Sequence, residues 1–189
     1  MRLSQPRIAP LQDEELTPEQ AEALVPVREG TMGVLNIFRT LVRAPKALTR
    51  FNQWGSYVLS RRNDLPARQR EIVILRTGWL CRSGYEWTQH VEIGAKAGLA
   101  QDEIERVKRG ADAGWDAADA ALIRATDELV ADQFIGEATW AELGRSFTDK
   151  QRMDVVFTVA QYVQVSMILN TFGVPLDAGQ TLDPELKHF

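Results

Sequence analysis

The chain has 189 residues, 44% of them hydrophobic and 25% charged, which is typical of a single soluble globular domain with a real core. Its formal net charge of −4 argues against a nucleic-acid-binding surface, and no apolar run approaches the roughly 20 residues of a membrane-spanning helix. The one cysteine cannot form a disulfide within the chain, which favours a reducing, cytoplasmic location.

The N-terminal segment of the chain is not predicted to form a helix. Pro6 and Pro10 oppose a helix over residues 1–16, so we expect an N-terminal arm that either packs on a neighbouring subunit or frays. Residues 17–189 are expected to form one helical domain. Thr17 followed by Pro18 is typical of a helix start, and residues 30–33 are predicted to form a loop.

The rest of the chain also shows helical patterns. Val34–Ala44 has apolar residues at helical spacing, and Pro45 begins the next helix. Asp116 is a predicted helix cap. Thr148 caps a long apolar helix that ends at Phe172. No segment shows the sustained alternation of a strand between hairpin turns, so the sequence predicts an all-α fold.

One stretch, residues 65–99, concentrates the candidate chemistry. It reads as two helices, the first starting at Pro66 and the second ending at Gly98, with a break at Gly84. Glu71 lies on the first helix. On the second, Glu86 and His90 are four residues apart and therefore share a face. If the two helices form a hairpin, a carboxylate meets a carboxylate–imidazole pair, and such a group can move protons.

These residues resemble the carboxymuconolactone decarboxylase family, which also contains the alkyl hydroperoxidase D-like (AhpD-like) proteins. Redox members carry a glutamate and then Cys-x-x-Cys-x-x-x-His. Aligned on His90, the glutamate falls on Glu71 and the two cysteines fall on Ser83 and Glu86. Both thiols are absent, so the chain is similar to the non-thiol branch, whose decarboxylases have an arginine where this chain has Arg70.

The resemblance implies an AhpD-like helical bundle with the site on a central helix hairpin. It also implies a homo-oligomer, either a trimer or a hexamer, and a lyase that needs no cofactor. The implied substrate is a small carboxylated lactone or a related intermediate of aromatic-compound degradation. Its decarboxylation leaves a carbanion that the protein must protonate.

Within that scheme His90, held by Glu86, is the candidate proton donor, and Glu71 relays or resets the proton. Each has a structural alternative: a lone histidine is more often a satisfied core residue, and Glu71 can simply pair with a neighbouring arginine. Arg70 is the candidate clamp for a substrate carboxylate. The remaining candidates for the substrate pocket are Tyr85, Trp87 and Ser83, although core packing explains the two aromatic residues equally well.

Two other functions remain open. Cys81 is a redox candidate for a hydroperoxidase reaction, alone or with a thiol of another subunit, although a small buried structural cysteine is the commoner case. The chain can also be a non-catalytic oligomeric protein that keeps a ligand pocket. No metal site is expected, because di-iron bundles need paired Glu-x-x-His motifs and this chain has one Glu-x-x-x-His.

Overall fold

The computed structural model describes residues 3–29 and 33–187, and over these ranges the regular structure is entirely helical. The α-helices in chain order are α1 (Pro18–Arg28), α2 (Asn36–Leu41), α3 (Pro45–Leu59), α4 (Ala67–Leu80), α5 (Gly84–Lys96), α6 (Gln101–Arg109), α7 (Ala117–Asp132), α8 (Glu137–Leu143) and α9 (Asp149–Phe172). Two 3₁₀ helices span Asp13–Glu15 and Pro184–Leu186. The all-α prediction is confirmed.

Helix α4 is the centre of the bundle and packs against α5, α6, α7 and α9. Every residue from Glu71 to Gly78 is buried. Burial on all sides is typical of a helix surrounded by other helices, whereas a surface helix buries only one apolar stripe. Its polar side chains have partners: the Thr77 hydroxyl donates to the Val73 carbonyl, and Arg76 donates to the Asp127 carboxylate. The central position of α4 explains why a charged residue on it must be paired or functional.

Two apolar clusters hold α4 from opposite sides. One joins it to α7 and α9, and its buried members include Val73, Leu122, Ala125, Val155 and Val159. The other joins it to α5, α6 and α7, and its buried members include Ile72, Leu75, Trp87, Ile104 and Ile123. Both clusters fix the position of α4 and, through it, of the residues that α4 carries into the site.

Helix ends follow the local signals in the sequence. Thr17 and Thr148 each accept a hydrogen bond from the third residue of the helix they precede, and Asp116 caps α7 in the same way. Gly173, with φ of 70°, ends α9 in the left-handed conformation that glycine adopts without strain. One detail differs: Gly84 begins α5 rather than breaking the helix, because the chain turns before it, at Arg82 and Ser83.

Helix α9 is the long apolar helix predicted after Thr148. The expectation that no apolar run approaches membrane-spanning length was wrong for this helix: among the described residues it alone meets that length and composition, a test that the core helix of a soluble protein also passes. Of the most apolar 18-residue stretch of this helix, 44% is buried inside the chain. Met153 and Met167, on the remaining face, are 50% and 63% exposed.

The described part of the N-terminal segment packs on the bundle. The amides of Arg7 and Ile8 donate to the carbonyl of Phe172, and the amide of Leu11 donates to the carbonyl of Arg39, so the N-terminal segment lies along its own subunit. The first two residues of the predicted arm, most of the predicted loop at residues 30–33, and the last two residues of the predicted domain lie outside the described residues.

Candidate active site

A tight turn folds α4 and α5 into a hairpin. Arg82 takes a left-handed backbone conformation with φ of 52°, and the Ser83 amide donates to the Gly78 carbonyl at 2.8 Å. Gly78 of α4 lies beside Glu86 of α5, since a Cβ added to Gly78 would be 3.5 Å from the Cβ of Glu86, an ordinary van der Waals contact. The turn therefore lays the start of α5 directly against α4.

The hairpin brings three ionisable side chains into contact. His90 Nδ1 is 2.7 Å from Glu71 Oε2, and His90 Nε2 is 3.3 Å from Glu86 Oε2. Glu71 is 1% exposed, and Glu86 and His90 are each 5% exposed. Both ring nitrogens of a buried imidazole thus face a carboxyl oxygen, one from each helix of the hairpin.

This environment makes His90 and Glu86 hold protons more tightly than they do in water. Burial works against the charged imidazolium, but the negative charges of Glu71 and Glu86 and the hydrogen bond to Glu71 outweigh it and raise the pKa of His90. Burial is the main cause that raises the pKa of Glu86; the charge of Glu71 adds to it and that of His90 opposes it. The two groups titrate as a coupled pair.

A cavity of about 430 Å³ opens beside this pair. His90 and Glu86 are part of its wall, whereas Glu71 lies behind His90. Most of the wall is apolar and comes from α2, α3, α5 and α9, with Ile37, Phe38, Phe51, Val58, Ile93 and Val165 as examples. The size and the few polar groups are typical of a site for a small organic molecule.

Tyr162 of α9 adds a third element to the site. Its ring meets the imidazole of His90 edge to face, with centroids 5.0 Å apart and planes at 89°. Burial, and then the charges of Glu86 and Glu71, raise the pKa of Tyr162 well above its usual value, so the side chain stays a neutral phenol. Tyr162 and its neighbour Gln161 line the cavity, and the sequence analysis did not single out either of them. Both lie in an apolar helix far along the chain, where no local pattern marks a site.

Tyr85, a predicted pocket residue, does line the cavity. Its hydroxyl donates to the Asp177 carboxylate, which also accepts a hydrogen bond from the Gln89 amide at 2.7 Å. The same carboxylate accepts the backbone amide of Asn36 at 2.7 Å. Asp177 therefore ties the segment after α9 to two residues of the cavity wall and to the start of α2.

The other two predicted pocket residues lie elsewhere in the hairpin. Trp87 packs in the cluster with Ile72 and Leu75, and its indole nitrogen donates to Asp183 at 3.2 Å. Ser83 is fully buried at the turn. Neither residue lines the cavity.

Arg70 and Cys81 also lie outside the cavity wall. The Arg70 guanidinium donates to the Ser60 carbonyl at 3.3 Å, and its charge acts on the site from behind by opposing the rise in the pKa of His90. Cys81 is partly exposed at the end of α4, and its backbone carbonyl accepts a hydrogen bond from Asn170. The thiol and the cationic group expected from the sequence are therefore not presented to a ligand in this cavity.

In the part of the chain that the structure describes, no group of three or more histidine, cysteine, aspartate or glutamate side chains is arranged to hold a metal ion.

Comparison with known proteins agrees with the hairpin and with the fold around it. The sequence profile of the carboxymuconolactone decarboxylase family matches residues 45–127, which include α4, α5 and all three ionisable residues. No curated protein matches the sequence.

Several solved structures share the fold, among them the following three. One is a peroxidase-related protein with an alkylhydroperoxidase AhpD core from Ralstonia eutropha JMP134, with TM-score 0.77, 18% identity, and coverage of 90% of this chain and 93% of that one. Another is a peroxidase-related protein from Silicibacter sp. TM1040, with TM-score 0.74, 16% identity, and coverage of 94% and 92%. The third is a variant of the debrominase Bmp8 in complex with 2,3,4-tribromopyrrole, with TM-score 0.76, 11% identity, and coverage of 93% and 94%. The predicted AhpD-like fold is confirmed.

Proposed function

We propose that this chain, whose residues 45–127 match the carboxymuconolactone decarboxylase family profile, is a cofactor-independent enzyme that exchanges a proton with a small organic substrate. The observation that supports this most directly is the buried contact of His90 with Glu71 and Glu86 at the wall of an apolar cavity. Burying three ionisable groups is costly unless they are paired, and the arrangement has the features of acid–base catalysis.

The three residues take different roles because their positions differ. Glu71 lies behind His90 at hydrogen-bond distance from Nδ1, so it fixes the orientation of the ring and stabilises its positive charge. His90 and Glu86 face the cavity, and both pKa values are raised, so the pair holds its protons to a higher pH than the free side chains do and can exchange a proton with a substrate. Glu71 is thus a positioning residue, and the His90–Glu86 pair is the catalytic unit.

Decarboxylation of a small carboxylated lactone, or of a related aromatic-degradation intermediate, is the first reaction to assay. Loss of carbon dioxide leaves a carbanion, and the His90–Glu86 pair would supply the proton that converts it into product. The family relationship favours this reaction. The position of Arg70 outside the cavity does not favour it, because a substrate carboxylate would lack its expected cationic clamp.

A hydroperoxidase reaction is the alternative function, because peroxidase-related proteins and a debrominase have the same fold. In this chain the only cysteine, Cys81, does not line the cavity beside His90. The site therefore gives a thiol reaction no support, and proton transfer remains the better proposal.

The test is a turnover assay in D₂O against carboxylated lactones and other carbon acids, with carbon dioxide release and deuterium incorporation as readouts. For any substrate that the wild type converts, His90→Ala is expected to lower the turnover about 10²–10⁴-fold, the usual contribution of a general acid or base. Glu71→Gln should also lower it, since the ring loses its charged partner.

Glu92→Gln is the matched control, because Glu92 is an exposed carboxylate of the same helix, and it should retain wild-type turnover. Circular dichroism confirms that each variant is folded. Full turnover by a folded His90→Ala protein would refute the proposal, and ligand binding without any turnover would favour the non-catalytic alternative.

A further inference from the structure

Gln161 is a buried polar residue in the cavity wall whose amide oxygen has no partner. The residue is 4% exposed, and its Oε1 is buried without a hydrogen bond from the described part of the chain. Leaving such a group unpaired costs free energy, and α9 could carry a leucine here at no such cost. The amide is therefore explained better by a ligand than by the fold.

The charges around the cavity restrict that ligand. Among the lining residues that the structure describes, the charged types are Glu86 and His90, and no lysine or arginine is present. Glu71 places a further carboxylate directly behind His90. An anionic ligand would have to leave water for an apolar cavity that holds carboxylates and one imidazole already paired with them, which is unfavourable.

We propose that the cavity takes an uncharged cyclic ketone or its enol tautomer and that the Gln161 amide binds the oxygen of this ligand. The unpaired Oε1 accepts the hydroxyl of the enol, and the N–H of the same amide is the group that donates to the ketone oxygen. Apolar walls then hold the ring. The inference rests on the proposed proton transfer and adds the substrate class and a further substrate-binding residue.

The chemical step balances without an oxidant or a reductant. The His90–Glu86 pair takes a proton from the carbon next to the carbonyl, and the C–H electron pair becomes a C=C bond. The carbonyl π electrons move to oxygen, where the Gln161 N–H stabilises the developing negative charge. Return of the proton to carbon gives back the ketone, with exchange or isomerisation as the net result.

Three probes separate charge from size: cyclohexanone, 3-oxocyclohexanecarboxylate, and the methyl ester of that acid. Binding to the wild type is measured by calorimetric titration. We expect the ketone and the ester to bind at least tenfold more tightly than the carboxylate. Equal or tighter binding of the carboxylate, or no binding of either neutral probe, would overturn the substrate class.

The role of Gln161 is tested with Gln161→Leu, which keeps the volume and removes the amide. Gln164→Leu is its control, because Gln164 lies on the exposed side of the same helix. The readout is exchange of the α-protons of bound cyclohexanone in D₂O, followed by proton NMR. Loss of the donor should weaken ketone binding about 2- to 10-fold, as for one neutral hydrogen bond. It should slow exchange about 10²–10³-fold, as for an oxyanion donor.

Thermal unfolding of the ligand-free protein separates this role from a structural one. Gln161→Leu should keep or raise the unfolding temperature, because the substitution removes an unpaired buried group; a structural glutamine would lower it. Wild-type exchange by a folded Gln161→Leu protein, or the absence of exchange in a wild type that binds the ketone, would overturn the role of Gln161. Exchange that survives His90→Ala would instead refute the underlying proton-transfer proposal.

Discussion

His90 is held by two carboxyl groups whose geometries differ, and the difference assigns their roles. The sequence suggested that Glu86 would hold the ring, because residues four apart on a helix are neighbours. In the structure Glu71 of α4 is the closer partner, at 2.7 Å against 3.3 Å. The motif predicted that His90 would have carboxylate partners. It did not predict which carboxylate is closer to the imidazole, because that depends on how α5 is rotated against α4.

The same pair makes folding stability depend on pH. A native pKa above the unfolded value means that the native state binds more protons, so each group contributes stability that is lost as pH rises. For Glu86 the loss starts near its ordinary value of 4.5, and for His90 it starts near 6.5. Stability contributed by this site should therefore be highest in mild acid.

Glu86→Gln tests this sign. The variant keeps the volume of the side chain and removes its titration, and it also withdraws a charge that raises the pKa of His90. Between pH 4 and pH 9, a range that includes the start of both losses, the unfolding free energy of the wild type should fall more steeply than that of the variant. Urea titrations at a series of pH values measure it, with Glu92→Gln as the control. Parallel curves for wild type and Glu86→Gln would contradict the raised pKa values.

At the scale of elements, the fit of α5 against α4 depends on two glycines with different surroundings. A Cβ added to Gly78 meets its nearest neighbour at 3.5 Å, an ordinary contact. A Cβ added to Gly94 lies 3.1 Å from Leu99 and 3.3 Å from Leu75, both buried core residues. The hairpin therefore has room at one end and none at the other.

Gly94→Ala should destabilise the protein by about 1 kcal/mol, because overpacking of about 1–3 kcal/mol exceeds the helix propensity that alanine adds. Gly78→Ala is the matched comparison and should be neutral or stabilising by about 0.5–1 kcal/mol. Chemical denaturation of both variants measures the difference. A more stable Gly94→Ala protein would show that Leu75 and Leu99 repack freely.

Elements were predicted better than their arrangement. Threonine caps and proline starts are local signals, so the beginnings of α1, α3 and α9 followed from the sequence. The cavity wall depends on contacts among α2, α3, α5 and α9, which no local pattern encodes. For that reason Gln161 and Tyr162 were missed, and Trp87 was expected in a pocket although it packs in the core.

At the scale of the whole molecule, α9 carries an exposed apolar face. Met153, Ala160 and Met167 are exposed and follow each other at intervals of seven residues, which places them on one side of the helix. An apolar stripe of this kind suits packing against another helix. The homo-oligomer, a trimer or a hexamer, stays a prediction, and this face is where we expect a second copy to pack.

Met167→Lys tests the prediction, because a charge in an apolar interface should lower the assembly state. Light scattering after size-exclusion chromatography is expected to give a multiple of the 21.3 kDa chain mass for the wild type and a smaller multiple for the variant. Gln101→Lys, which places the same charge on an exposed position of α6, is the control. A wild type that elutes as a single chain would rule the oligomer out.

The three ionisable residues and most of the apolar cavity wall come from different parts of the chain. Glu71, Glu86 and His90 come from one short segment, whereas most residues that would touch the body of a ligand come from α2, α3 and α9. Substitutions on these three helices can reshape recognition while the acid–base group stays intact. If the proposed function holds, one hairpin can be inherited unchanged by proteins that act on quite different molecules.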